Sequence, residues 1–299
     1  MVIARSPSKI SLPQKNPGVK TVLEYLVLRF AAVGDEVWRQ RVEDGKVHFH
    51  DGSVISEATP YAAQQRVYYY REVTTEPQIP FEEKILFQDE LVLVAYKPHF
   101  LPVTPGGHYV EECLQSRLRV KTSNENLQAL HRIDRDTAGL VIFSVNPETR
   151  RHYHQLFATH KVRKDYQAIA EVGENQPLPN QQWLIENRLE KSGARFQMQI
   201  TEGLPNSKSH IKCLSCANGK GLFELSPVTG KTHQLRVHMQ SLGWPILHDP
   251  YYSKDTLDYV QPRQDYSHPL QLLARKLQFC DPITGEQRCF SSNTALSLA

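Results

Sequence analysis

Apolar and polar positions along this chain form a short mixed segment followed by a longer, strand-rich one. The stretch 21–30 carries VLEYLVLRF and predicts a helix, and 35–42 predicts a second, shorter one. Asp44-Gly45 marks a turn, 46–50 alternates as a strand does, and Asp51-Gly52 is a hairpin signal before another strand at 65–71. Residues 1–20 hold three prolines and little apolar pattern, so they read as a flexible basic tail. Gln78-Ile79-Pro80 reads as a linker, which leaves 21–78 as a small unit and 81–299 as a large one.

In the larger part, 85–89 and 91–98 are strand-like and separated by a turn. The run Leu140-Val141-Ile142-Phe143 predicts a core strand, and 147–160 predicts a helix with Pro147 near its first turn. Strands are then expected at 164–171, 195–200, 209–215 and 220–228, and a helix at 231–241 with Gly243 near its C-cap. Mixed strands with few helices argue for α+β rather than a regular βαβ series. The expectation is a largely antiparallel central sheet with flanking helices, beside a small N-terminal α/β unit. There are no internal repeats.

Composition narrows the class. At 299 residues, 40% hydrophobic and 22% charged, the chain suits a soluble globular protein with one large domain, or one large and one small. No apolar run approaches the roughly 18–20 residues needed to span a bilayer. The basic N-terminus lacks the apolar middle of a secretory signal, so the expected compartment is the cytoplasm. Five scattered cysteines do not form a disulfide framework. Cys213-x-x-Cys216 could be half a zinc site, but Cys280 and Cys289 have the wrong spacing to complete it, and buried thiols in strands are the expectation. A net charge of +3 is too mild to identify nucleic-acid binding. The cluster of Arg150, Arg151, Lys161, Arg163 and Lys164 fits either phosphate neutralisation or a solvated helix face.

The candidate chemistry concentrates in HRIDRDTAGL, residues 131–140. Asp134 and Asp136 alternate with Arg132 and Arg135 just before the apolar run. Neighbouring guanidinium groups favour the charged form of a carboxylate, and a carboxylate nucleophile must be charged. Taken alone, the same pattern also fits a surface ion-pair cluster ahead of a core strand.

HRIDRDTAGL resembles the catalytic motif of the RluA-type pseudouridine synthases, His-Arg-Leu-Asp-x-x-Thr-Ser-Gly-Leu, with Ile133 and Ala138 as departures. Three further segments resemble that family in the same order. Lys164-Asp165-Tyr166-Gln167-Ala168 resembles its Lys-x-Tyr-x-Ala strand, and TGKTHQLRVHM at 229–239 its Thr-Gly-Arg-Thr-His-Gln-Ile-Arg-Val-His, with Lys231 for an arginine. LLARKLQFCDPITGE at 272–286 resembles its closing segment, with Leu273 in place of a histidine. Lys97-Pro98 with Leu101-Pro102-Val103 resembles a fifth stretch in which His99 and Phe100 are altered. The resemblance covers roughly 85–290 and implies the pseudouridine synthase fold.

By that resemblance Asp134 is the essential acid, Arg236 pairs with it, and Tyr166 stacks on the target base or helps move a proton. Arg132, His131, Lys164 and Lys231 fall among substrate contacts, and Leu272 lies against the uracil ring. The implied reaction converts a uridine in structured RNA to pseudouridine and needs no metal, redox or nucleotide cofactor. The implied partner is ribosomal RNA, or else transfer RNA; the protein is expected to be a monomer without membrane contact. Two helices followed by a small hairpin also resemble the alpha-L type RNA-binding domain, against which stands a simple structural extension of the larger domain. The alternative to catalysis is an inactive RNA-binding or RNA-folding protein on the same scaffold, and retention of Asp134, Tyr166 and Arg236 argues against it. A metal-dependent phosphodiesterase is disfavoured because His233 and His238 are five apart, not the three or four that share a helix face.

Overall fold

The computed structural model describes residues 1–174, 176–194, 197–253 and 265–298. The chain divides into two compact units, one of residues 1–76 and 106–111, the other of 77–105 and 112–299.

The smaller unit runs β1 (Val2–Ile3), β2 (Ser8–Ser11), α1 (Val22–Arg29), α2 (Asp35–Glu43), β3 (Val47–Phe49), β4 (Arg66–Tyr69) and β5 (Glu72–Val73). Thr21 Oγ1 accepts from the Glu24 N–H at 3.2 Å and caps α1, whose buried Val22, Leu23 and Leu26 share one core with Trp38 and Val42 of α2. Strands β2, β4 and β3 form an antiparallel sheet in that order, and Val47, Val67 and the half-buried Ile10 face the same core. Residues 1–20 are therefore not a flexible tail. β1 pairs with β5, β2 covers one edge of β4, and Leu12 is fully buried. Three prolines obscured this because the strands are only 2 and 4 residues long, one before Pro7 and the other between Pro7 and Pro13.

The larger unit runs β6 (Lys84–Gln88), β7 (Val92–Lys97), α3 (Leu114–Thr122), β8 (Gln128–Ala129), β9 (Ala138–Ser144), α4 (Arg150–Ala158), β10 (Arg163–Glu171), β11 (Gln182–Lys191), β12 (Met198–Thr201), β13 (Ser207–Ala217), β14 (Lys220–Pro227), α5 (Gln234–Ser241), β15 (Leu272–Cys280) and β16 (Gln287–Ser291). Its sheet is ordered β12-β11-β13-β14-β10-β15-β9-β7-β6, with β16 beside β15 and β8 beside β9. Among the described strand pairs of this sheet, β9 with β15 is parallel and the others are antiparallel. The α+β expectation of a largely antiparallel sheet with few helices holds.

β9 is buried at all seven positions, which explains its unbroken apolar run. Gly139 is required there. Its φ is +120°, and a Cβ would lie 2.2 Å from the Ala274 carbonyl oxygen across the parallel pair. Helix α3 and strand β11 had no counterpart in the periodicity. β11 alternates between exposed and half-buried positions, so its pattern is faint. The strand expected at 195–200 is seen as β12, with residues 195 and 196 outside the described ones. The segment 78–80 is fastened within the larger unit: Ile79 N–H donates to Glu112, and Arg117 donates to the Ile79 carbonyl.

Candidate active site

Asp134 lies in the loop that enters β9, and the end of β7 ties that loop down. The fully buried Lys97 ammonium donates to the carbonyls of Arg135 and Pro98, each at 2.8 Å. Burial pushes Lys97 down to about 7, since water no longer stabilises its charge. His99 Nδ1–H donates to the Asp136 carbonyl at 2.7 Å, and the Thr137 N–H closes a turn onto the Asp134 carbonyl. On the strand side, His131 Nε2 accepts from the Ile142 N–H at 3.1 Å while its ring stacks on Phe157. A nitrogen that accepts must be unprotonated, and burial pushes His131 down to about 3.

The second wall of the site is α5, in which Gln234 through Met239 are all buried. It starts at Gln234, not at 231, because Gln234 folds the preceding loop down. Its Oε1 accepts from Thr229 Oγ1 and the Lys231 N–H, and its Nε2 donates to the Lys208 carbonyl and Ser209 Oγ. Arg236 is 1% exposed and donates two short bonds to Asp249, Nε to Oδ2 at 2.7 Å and Nη2 to Oδ1 at 2.6 Å. That fork leaves Nη1 aimed at Asp134 Oδ2, 3.3 Å away. Burial would lower the Arg236 pKa, but Asp249 and then Asp134 hold it above the usual value. Arg236 is thus a permanent cation.

Burial by itself would raise the Asp134 pKa; His233 and Arg236 together bring it below the usual carboxylate range. Arg236 is the lasting cause at neutral pH, since burial and Arg236 both depress His233 and keep it neutral. His233 occupies a left-handed conformation, φ 52°, at the N-cap of α5. Its Nε2 is 3.9 Å from Asp134 Oδ2, and its Nδ1 is 2.9 Å from Tyr252 Oη. Tyr252 Oη already accepts from the Met198 N–H, so its own proton points to His233 Nδ1. The imidazole then carries its proton on Nε2, facing Asp134.

The third wall is β10. Its ladder with β15 shifts register between Asp165 and Tyr166, a bulge that re-aims the side chains beside the cleft. Tyr166 is half-buried, and burial followed by Asp134 raises its phenol pKa, so it stays protonated. Lys164 is half-buried, with its pKa lowered by burial.

These walls enclose a cleft of about 370 Å³. All eight residues expected from the sequence line it: Asp134, Tyr166, Arg236, His131, Arg132, Lys164, Lys231 and Leu272. Arg132 is exposed and makes no hydrogen bond or ion pair among the described residues. Leu272 is 3% exposed and offers an apolar face. Thr137 also lines the cleft, and its buried hydroxyl has no partner among the described residues.

Sequence reasoning missed Asp249, His233 with Tyr252, and the Lys97–His99 clasp. Two expectations are corrected. Arg150 leaves the basic cluster, because it is spent on Gln128, Ser144 and the Asn126 carbonyl. Cys280 and Cys289 are exposed rather than buried; Cys213 is buried, with its Sγ 3.6 Å from that of Cys216.

The sequence profile described as RNA pseudouridylate synthase matches residues 91–241, half of the chain, and spans the Asp134 loop, Tyr166 and Arg236. The chain belongs to this family. Within it the chain is RluA-type: it is 30% identical to the dual-specificity RNA pseudouridine synthase RluA of Haemophilus influenzae, over 70% of this chain and 92% of that protein. It is 28% identical to the ribosomal large subunit pseudouridine synthase C of Yersinia pestis, over 91% of this chain and 83% of that one. The solved structure of human RNA pseudouridylate synthase domain containing 1 has the same fold, with a TM-score of 0.58, 22% identity and coverage of 74% of this chain and 86% of that one. No helix of the described residues is long and apolar enough to cross a membrane.

Proposed function

We propose that this pseudouridine synthase isomerises a uridine of a structured RNA, with Asp134 as the group that acts on the reacting nucleotide. The observation that carries the reading is a carboxylate kept ionised in the cleft by a guanidinium whose other edge is locked to Asp249. Such a carboxylate is charged and aimed before substrate arrives, so little reorganisation is left for the reaction.

The reaction breaks the N1–C1′ bond, turns the uracil and joins C5 to C1′; C5 loses a proton and N1 gains one. No oxidant or reductant is consumed. The uridine must first leave its stack, which favours an unpaired or flipped nucleotide. Asp134 either adds to C1′ or assists departure of uracil to a glycal. Tyr166 offers a ring for the extruded base and a protonated hydroxyl near Asp134. Leu272 packs against the base, and Arg132 at the mouth takes the place of the flipped nucleotide or contacts phosphate. His131 holds the loop through Nε2, which leaves its other ring nitrogen for substrate.

Backbone phosphates have a route to this cleft. A groove of about 490 Å³ shares His160, Lys164 and Pro227 with it and adds Lys161, Arg163, His210 and Lys212. Cations along a groove contribute affinity without reading sequence. Ribosomal RNA is the favoured substrate and transfer RNA the second, acted on in the cytoplasm by a monomer. The curated relatives include enzymes named for each RNA class: synthase C for the large ribosomal subunit, and the mitochondrial tRNA pseudouridine(32) synthase of Saccharomyces cerevisiae.

Carbodiimide mapping of pseudouridine in total RNA, from cells with and without the gene, tests the reading. A site that disappears on deletion and returns with wild-type protein but not with Asp134→Asn supports it. A site restored equally by Asp134→Asn removes Asp134 from the chemistry and favours an RNA-binding or RNA-folding role.

A further inference from the structure

The solvent face of the small sheet carries a ring array that its core does not use. Val67 and Tyr69 of β4, and Val47 and Phe49 of β3, turn toward Trp38 and Phe30. Side chains alternate along a strand, so Arg66 and Tyr68 of β4, His48 of β3 and Lys9 of β2 turn the other way. Lys9, Tyr68 and His48 are direct cross-strand neighbours, one from each strand. The Tyr68 ring is parallel to that of His48, at 5.5 Å and 10°, and lies 5.7 Å from that of His50. Tyr70 adds a fourth ring 6.0 Å from His48. His50 Nδ1 bonds to Tyr68 Oη at 2.9 Å, and His48 Nδ1–H donates to the Phe49 carbonyl, which fixes both imidazoles. Tyr68, Tyr70 and His48 are half-buried and His50 is exposed.

We propose that this face is a stacking platform for unpaired nucleotides of RNA. Flat rings held in place accept any base through its π face, and nearby cations engage the linking phosphates. Lys9 and Arg66 are both exposed and have no ion pair among the described residues. Glu72 near the face is paired with Arg41 and Lys46, whereas Asp51 at the hairpin accepts only from Ser53 and keeps its charge beside His50. The helical side of the same unit is less suited to anions, since Arg39 of α2 is bound by Asp35 and Glu57. Single-stranded RNA therefore fits the sheet face better than a duplex does, whose bases are not free to stack. The proposal rests on the reading of this chain as an enzyme of RNA.

The test uses the full chain and fluorescein-labelled oligouridylate, against a blunt RNA duplex of equal length, by anisotropy over a salt series. A 4-thiouridine version of the oligomer, cross-linked and mapped by mass spectrometry, locates the contact. Tyr68→Ala is expected to weaken single-strand binding about tenfold, while Tyr68→Phe stays within about twofold because the ring remains. Lys9→Ala and Arg66→Ala are expected each to reduce the salt slope by about 0.7. Cross-links should fall on Tyr68, Tyr70, His48 or His50. Should Tyr68→Ala lose its circular dichroism, His48→Ala takes its place with the same expectation. Wild-type affinity in a folded Tyr68→Ala protein, or cross-links confined to the cleft, overturns the platform and leaves the rings as sheet-stabilising pairs. Pseudouridine mapping on the wild type keeps the readings apart. Turnover without platform binding sinks only the platform, and absence of both sinks the enzyme reading as well.

Discussion

At the scale of single residues, the site depends on one guanidinium serving two carboxylates unequally. The buried Asp249 takes the two short bonds and fixes the plane of Arg236, and the half-buried Asp134 receives the remaining edge. The consequences separate. Asp134→Asn should lower turnover by at least about a thousandfold with little change in melting temperature, read by single-turnover kinetics on the identified RNA. Asp249→Asn should lower turnover and also stability, by about 3–5 kcal/mol in denaturant unfolding, because it takes from the buried Arg236 the fully buried counter-ion that holds two of its donors. Equal stability for the two variants would refute the positioning role. The HRIDRDTAGL motif made Asp134 legible in the sequence. Asp249 was not legible, since nothing in a run of Pro-Ile-Leu-His-Asp-Pro reveals that Arg236, 13 residues earlier, points to it.

Among elements, the β9–β15 pair decides where the site forms. The two strands run parallel and meet where Gly139 faces Ala274, and the Asp134 loop enters at one end of that contact. Gly139→Ala would place a methyl group against backbone that cannot rotate away, in a conformation that side chains avoid. A loss of about 3 kcal/mol or more in unfolding free energy is expected, with turnover falling alongside it. A variant as stable as the wild type would show that the strands can part without cost. Helix α5 is the other deciding element. Periodicity placed its start near 231, but the side chain of Gln234 binds Thr229, Lys231 and β13, and turns those residues into a loop lining the cleft.

Over the whole molecule, buried imidazoles tie stability to pH. His131 titrates at about 3 and His238 at about 4, against about 6.5 for each in an unfolded chain. Between those values the unfolded chain binds protons that the folded one does not, so stability falls as pH drops below about 6.5 and levels off near 3. The slope contributed by each group does not exceed about 1.4 kcal/mol per pH unit. His131→Gln retains an acceptor for the Ile142 N–H but cannot titrate. Its unfolding free energy should fall less steeply between pH 6 and about 4 than that of the wild type. Identical slopes would mean that His131 titrates normally in the folded protein.

The sequence by itself determined the fold class, most strands of the larger unit and the eight residues that meet in the cleft. Each of these depends on local pattern or on motifs long enough to carry their own meaning. Only the tertiary structure decided the rest. Residues 2–3 and 8–11 are strands because β5 and β4 lie beside them, since a two- or four-residue strand has no stability without its neighbour. Asp249, the His233–Tyr252 pair and the Lys97–His99 clasp acquire their roles from partners that folding brings together across 13 to 38 residues of chain. A hydrogen bond depends on distance and direction, and periodicity along a sequence contains neither.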